Sequence, residues 1–282
     1  MSKNPEKIWV IKNSGEKAEF QKEKLQRSLT KSGATKKDIQ YIISDIEKIL
    51  FPGISTKEIY KKAFKLLRKT SRPTAAKYKL KKALMELGPS GFPFERYLAE
   101  VLSHEGYQVE VGRIIEGHCV SHEVDIVAKK DNQVILIECK FHSESRRNCD
   151  VKVPLYIYSR FLDLAKQRKK NSKNEMKNYS GMIATNTRFS DDATRFGLCS
   201  GLLLLAWDFP KKESLKNKID RAGVHPITCL TTLTKKEKKQ LLHKMVVLCK
   251  DIRNNKKVLQ SIGIKGNRVN KIMTEANALC KT

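Results

Sequence analysis

Glu138 and Lys140 stand two residues apart in Val134-Ile135-Leu136-Ile137-Glu138-Cys139-Lys140-Phe141, an otherwise apolar run with the composition of a buried strand. Side chains alternate along a strand, so this spacing puts the carboxylate and the ammonium on one face and Cys139 on the other. Charged groups are costly there unless they are paired or bind an ion. A second acid, Asp125, lies in Glu123-Val124-Asp125-Ile126-Val127-Ala128, where Val124 and Ile126 alternate with Glu123, Asp125 and Val127. Lys129-Lys130-Asp131-Asn132 joins the two runs as a polar hairpin turn. Asp125 and Glu138 can together hold a divalent cation, which activates water and neutralises a scissile phosphate. The Cys139 backbone carbonyl offers a further oxygen ligand. Lys140 would orient the attacking water or stabilise developing charge. Phosphodiester hydrolysis is the chemistry these residues suit.

Elements around that pair form an α/β unit over residues 91–210. The spacing predicts a helix over 94–105, strands over 106–111, 123–128 and 134–141, and a helix over 153–168. A strand over 181–185, a helix over 191–198 and a buried strand over 202–207 follow. That order implies a mixed sheet flanked by helices. Gly88-Pro89-Ser90-Gly91 marks the border with residues 1–90, which read as mainly helical. There, Ile8–Ile11 and Lys17–Phe20 are short strands about an Asn13-Ser14-Gly15-Glu16 turn. Ser55-Thr56-Lys57-Glu58 has the form of a capping box opening a helix to about Lys69, and 74–87 supplies another helix. Residues 211–282 are helical and basic, with 18 Lys and Arg against 5 Asp and Glu. Within them Leu259-x-x-Ile262-Gly263-Ile264-Lys265-Gly266, then Val269 and Ile272, has a helix-hairpin-helix character; a plain turn between amphipathic helices is the alternative. This third segment is expected to bind DNA or to oligomerise.

The chain has 282 residues and a formal net charge of +27, an excess that points to a polyanionic partner. Membrane is the weakest candidate, because the longest apolar stretch, residues 201–207, is too short to span a bilayer. Seven scattered cysteines with no C-x-x-C, and six histidines of which only His118 and His122 share an H-x-x-x-H spacing, argue against zinc and for a reduced, cytoplasmic setting. Any catalytic metal would then sit on oxygen, which favours Mg²⁺ or Mn²⁺.

On these motifs residues 91–207 resemble the PD-(D/E)XK nuclease superfamily, and within it the Mrr-like restriction endonuclease domains. Gly91-Phe92-Pro93-Phe94-Glu95 with Tyr97, Leu98 and Gly106-Tyr107-x-Val109 matches the opening helix and first strand. Val124-Asp125-Ile126-Val127 matches the aspartate strand, and Ile137-Glu138-Cys139-Lys140 the E-x-K strand. The resemblance implies DNA cleavage with Mg²⁺ and gives Glu95 the place of a helix-borne acid that contacts the metal directly or through water. Many Mrr-like members carry Gln where this chain has Glu138; the acid is the wider superfamily's commoner choice. His122 and His142 flank the site and are expected to be structural. Arg146, Arg147, Arg160, Lys166, Arg168, Lys169 and Lys170 are expected to steer DNA.

Residues 8–84 resemble the ATP-cone, a nucleotide-sensing domain. The resemblance rests on Val10-Ile11-Lys12-x-x-Gly15, Phe20-x-x-Glu23-Lys24-Leu25, Ile54-Ser55-Thr56-Lys57-Glu58-Ile59 and Ala76-x-Tyr78 with Lys81. It implies an ATP or dATP site in which Lys12 and Lys24 contact the triphosphate. Gln21, Thr56 and Lys81 take the places of further contacts. The family's usual Lys-Arg is Lys12-Asn13 here, which removes a bidentate phosphate donor.

The expected protein is a metal-dependent DNA endonuclease regulated by ATP or dATP and acting as a homo-oligomer, in restriction or phage defence. A nucleotide-controlled, non-catalytic DNA-binding protein and a structure-specific repair or junction nuclease are the competing readings.

Overall fold

The computed structural model describes residues 8–12, 15–171 and 178–280; Asn13 and Ser14 of the expected first turn lie outside the described residues. In the amino-terminal part β1 (Trp9–Ile11) pairs antiparallel with β2 (Lys17–Glu19) and parallel with β3 (Ile54–Ser55), in the order β2-β1-β3. Five helices accompany the strands: α1 (Lys22–Lys31) and α2 (Lys36–Glu47) before β3, then α3 (Thr56–Thr70), α4 (Arg72–Tyr78) and α5 (Leu80–Met85). The capping box at Ser55 is formed: its hydroxyl accepts from the Glu58 N–H, and the Glu58 carboxylate accepts from the Ser55 N–H. Apolar residues at helical spacing (Leu25, Leu29, Ile39, Ile42, Ile43, Ile46, Leu66, Leu67) converge with Val10 and Ile54 into a small core.

The central part is a five-stranded mixed sheet in the order β10-β8-β6-β5-β4. Its helix α6 (Phe92–His104) leads into the antiparallel meander β4 (Gln108–Glu116), β5 (Ser121–Lys130) and β6 (Gln133–Lys140). Then come β7 (Asn148–Cys149), α7 (Lys152–Asn171), β8 (Asn178–Thr185), β9 (Arg188–Phe189), α8 (Asp191–Cys199) and β10 (Leu203–Leu205). β8 runs parallel to both β6 and β10, and β7 pairs parallel with β9 as a separate two-stranded piece. α6 covers one sheet face through Phe94, Tyr97, Leu98, Val101 and Leu102; α7 covers the other through Ile157, Phe161 and Leu164.

The remaining helices are α9 (Leu215–Ala222), α10 (Lys235–His243), α11 (Cys249–Asn254), α12 (Lys257–Gln260) and α13 (Asn267–Leu279). Their apolar stripes join the α6 side of the sheet in the largest core, together with Ala76, Leu80, Ala83, Leu84 and Leu87 of the amino-terminal part. Burial therefore crosses the Gly88–Gly91 border on which the sequence divides the chain. Between α12 and α13, Gly263 and Gly266 have positive φ (86° and 57°), while Ile264 between them is buried. Among the described residues no helix is long and apolar enough to cross a membrane.

Candidate active site

β6 is the middle strand of the five, so Glu138 does not stand on an edge; it is 9% exposed. A lone carboxylate in that position loses several kcal/mol of hydration, about as much as partners must return. Two cations supply it: Lys140 Nζ donates to Oε1 at 2.7 Å, and Arg160 Nη1 of α7 donates to Oε2 at 2.7 Å. Arg160 also donates through Nη2 to the Glu123 carbonyl. Expected as a DNA-steering surface residue, Arg160 is instead an internal clamp. Its neighbours at helical spacing, Ile157, Phe161 and Leu164, place it on α7's buried stripe.

Asp125 sits where the sheet opens. β5 and β6 pair from Lys130–Gln133 to Ile126–Ile137 and no farther, and one more step of that register brings Asp125 level with Glu138. On the other side the pairs Val111–Ile126 and Arg113–Val124 leave out Asp125 and Gly112, whose φ is +65°. The regular alternation expected for this strand breaks at Asp125. Ile126 and Ala128 enter the core beneath α6, whereas Val124 and Val127 share the cluster beneath α7. The β4–β5 register is the same on both sides of this gap, so one opposed pair, Gly112 and Asp125, drops out of the ladder. Asp125 Oδ2 accepts the Cys139 N–H at 2.7 Å, taking a donor that the ended ladder no longer uses. Cys139 itself is buried on the face opposite Glu138.

Glu95 reaches the same place from the first turn of α6. Burial lifts its carboxyl to about 7, with the charges of Asp125, Glu123 and Glu138 adding and Lys140 opposing. Asp125 is also raised, first by burial, against the lowering effect of the Cys139 N–H, with Glu138 pushing further up. The three acids thus share one electrostatic neighbourhood. Among the described residues, however, no three His, Cys, Asp or Glu side chains form a ready-made metal cage. The reason is visible: both Glu138 oxygens are turned to Lys140 and Arg160. A hard divalent cation suits this donor set, all carboxylate and carbonyl oxygen, and it would offset the burial and the mutual repulsion that raise Glu95 and Asp125.

Both flanking histidines have structural hydrogen bonds. His122 Nε2 lies 2.8 Å from Asp163 Oδ2, and Asp163 also accepts from the Cys119 N–H. His142 is bracketed by Asn186, whose Oδ1 accepts the His142 N–H at 2.9 Å and whose Nδ2 donates to the His142 carbonyl at 2.8 Å. Of the expected nucleotide contacts, Lys12, Thr56 and Lys81 line one cavity. Gln21 and Lys24, at the exposed start of α1, are not among its walls.

Residues 8–83 match the family described as ATP cone domain, and residues 88–206 match the family described as restriction endonuclease. The chain therefore carries an ATP-cone domain followed by a restriction-endonuclease domain, matches that imply nucleotide binding in the first part and a divalent metal in the second. Residues 225–280 match the C-terminal domain described as AF1548-like. An "Uncharacterized protein" of Archaeoglobus fulgidus is 31% identical over 180 residues, which span 64% of this chain and 97% of that one. The chain belongs to that protein's family. The crystal structure of AF1548, a "protein of unknown function", superposes with a TM-score of 0.54 at 29% identity, over 68% of this chain and 98% of that one. MspJI restriction endonuclease, solved with a 27-mer oligonucleotide, matches at a TM-score of 0.29 and 14% identity, over 71% of this chain and 41% of that one, too remote to carry weight.

Proposed function

We infer that the chain is a metal-dependent DNA endonuclease whose activity is set by ATP or dATP, working as a homo-oligomer in restriction or phage defence. The reading rests on one observation: Asp125 and Glu138 meet where β5 and β6 part, with Glu95 electrostatically coupled to both. The division proposed is residues 1–90 for nucleotide control, 91–210 for cleavage and 211–282 for DNA binding or assembly.

Asp125, Glu138, Glu95 and the Cys139 carbonyl would hold Mg²⁺ or Mn²⁺, which supplies activation of water and charge neutralisation at the phosphate. Lys140, anchored on Glu138, presents an ammonium for orienting the nucleophile or for the charge that builds on the phosphate. Arg160 is a positioning residue, since it fixes Glu138 Oε2 from the α7 side. The net charge of +27 favours a polyanionic substrate such as duplex DNA.

Incubating supercoiled plasmid with the full chain and Mg²⁺, with and without ATP or dATP, tests this. Nicking or linearisation that EDTA stops, and that Asp125→Ala, Glu138→Ala and Lys140→Ala each abolish, is expected. A plasmid left intact under every nucleotide and metal condition, while DNA is still bound, would refute the catalytic reading.

A further inference from the structure

A cavity of about 1270 Å³ lies between the ATP cone, the loop that follows β6 and the start of α10. It exceeds the ~300–1,000 Å³ of ordinary small-molecule sites. Nine basic side chains and one acid, Glu86, line it. Lys12 and Lys81 come from the ATP cone, Arg146 and Arg188 from the nuclease domain, and Lys235 and Lys239 from α10. Arg146, Lys235 and Lys239 have no carboxylate partner among the described residues. Like charges converging on one space repel, and a bound polyanion removes that cost.

Two buried groups point the same way. Lys238, 7% exposed, donates to the Thr228 carbonyl at 2.8 Å beside Lys79, which donates to the same oxygen at 3.0 Å. Glu86 is their shared counter-ion, at 2.7 Å from Lys79 and 3.9 Å from Lys238, so one positive charge stays uncompensated at the cavity wall. Burial, then Lys79, pushes Lys238 down to about 8, as an under-neutralised buried ammonium requires. The Tyr60 hydroxyl, also at the wall, is buried without a hydrogen-bond partner among the described residues. Such an orphan is ordinarily satisfied by a ligand or water.

We propose that this cavity binds one nucleoside triphosphate through ligands from all three regions, so that the polyphosphate ties the nuclease loop and α10 to the ATP cone. The proposal rests on the nucleotide reading above and adds Arg146, Arg188, Lys235 and Lys239 as phosphate ligands outside the cone. Its consequence for cleavage follows from what stands next to Lys140. Phe141 lies against Gly88, where an added Cβ would come 2.4 Å from its ring. Asn186, which brackets His142, also donates to Met85 Sδ at 3.2 Å. Met85 and Gly88 are themselves cavity walls. Drawing those walls together acts on the two residues that follow Lys140.

The test titrates the full chain with ATP and with inorganic tripolyphosphate, using wild type, Arg146→Ala and the Lys235→Ala/Lys239→Ala double variant, after checking that all melt alike. Tripolyphosphate should compete with ATP, and each variant should bind ATP at least tenfold more weakly. Hydrogen exchange over residues 141–148 should slow when ATP is added to the wild type. Affinity unchanged in both variants but lost in Lys12→Ala would overturn the shared site and leave the ATP cone as a self-contained sensor. Wild type that binds neither ATP, dATP nor tripolyphosphate would instead sink the nucleotide reading itself. Variants that lose affinity for a short duplex but not for ATP would show the cavity to be a nucleic-acid groove, also against the proposal.

Discussion

Replacing Glu95 with glutamine should stabilise the metal-free protein at alkaline pH and impair it as a nuclease. The Glu95 carboxyl is lifted from an ordinary 4.5 to about 7, by burial first and then by the neighbouring carboxylates. Between those two values the folded chain keeps a proton that the unfolded chain has released. Stability therefore falls as pH rises across that window and levels off above it. At ~1.4 kcal/mol per pH unit the full shift is worth about 3 kcal/mol, and because the group is only partly buried, screening by water leaves ~1–2 kcal/mol. Glutamine has no charge to repel. The gap between Glu95→Gln and wild type should thus be small at pH 5 and reach ~1–2 kcal/mol in favour of the variant at pH 8.5.

Urea unfolding without divalent cation at the two pH values measures this gap. Calorimetric titration of Mg²⁺ at pH 6.5, in two buffers of different ionisation enthalpy, measures the other half of the argument. Cation binding should expel the Glu95 proton from wild type and expel less from the variant. Cleavage should drop by about 10- to 100-fold, as for an acid acting on the metal through water. A stability gap equal at both pH values, or a variant that is less stable at pH 8.5, would refute the claim that uncompensated negative charge gathers at this site.

Arg160→Ala breaks a buried ion pair and strands Glu138 with one partner, so a loss of about 3 kcal/mol is expected in chemical denaturation. Arg160→Lys should recover only part of it, since an ammonium cannot reach both Glu138 and the Glu123 carbonyl; full recovery would deny the clamp. Gly88→Ala pushes a methyl group into the Phe141 ring, with ~1–3 kcal/mol of overpacking and slower plasmid cleavage expected. A variant as stable and active as wild type would show that Phe141 yields freely. DNA affinity should fall steeply with added salt; an affinity flat between 50 and 200 mM, roughly the range over which phosphate-contacting proteins lose most of their binding, would remove the electrostatic case.

Much of the scaffold was legible because its signals are local. The capping box at Ser55, the E-x-K spacing on β6 and the apolar periodicity of α2, α6 and α7 each need only a dozen residues to read. Two-residue strands such as β3, β7 and β9 carry no periodicity, and only tertiary pairing defines them. The gap at Asp125 was hidden for a related reason. Val124-Asp125-Ile126 reads as plain alternation, and the break comes from Gly112 on the neighbouring strand. Arg160 was within reach: an arginine between Ile157 and Leu164 on the inner stripe of a helix has to find a buried acid, and Glu138 was the acid without an inner partner. No local signal announces the basic cavity, because its walls lie as far apart in sequence as Lys12 and Lys239.

The shared core decides how nucleotide and cleavage can communicate. Had the cut at Gly88–Gly91 separated independent units, a ligand in the ATP cone would have to act through a linker or through assembly. Instead Leu80, Ala83, Leu84 and Leu87 are buried with α6, β6 and the carboxy-terminal helices. A close-packed interior transmits displacement rather than absorbing it. Thr228 makes the connection polar as well as apolar, accepting from Lys79 and Lys238 and donating to the Ala83 carbonyl at 2.7 Å. A nucleotide that favours one arrangement of α5 must therefore favour one placement of Phe141 and of the Lys140 beside it, and by linkage, loading the site with metal must alter nucleotide affinity by the same factor. ATP affinity measured with and without Mn²⁺ in Asp125→Ala and wild type separates that coupling from metal bound to the nucleotide itself. Equal affinity in wild type under both conditions would mean the two sites are mechanically independent despite their common core.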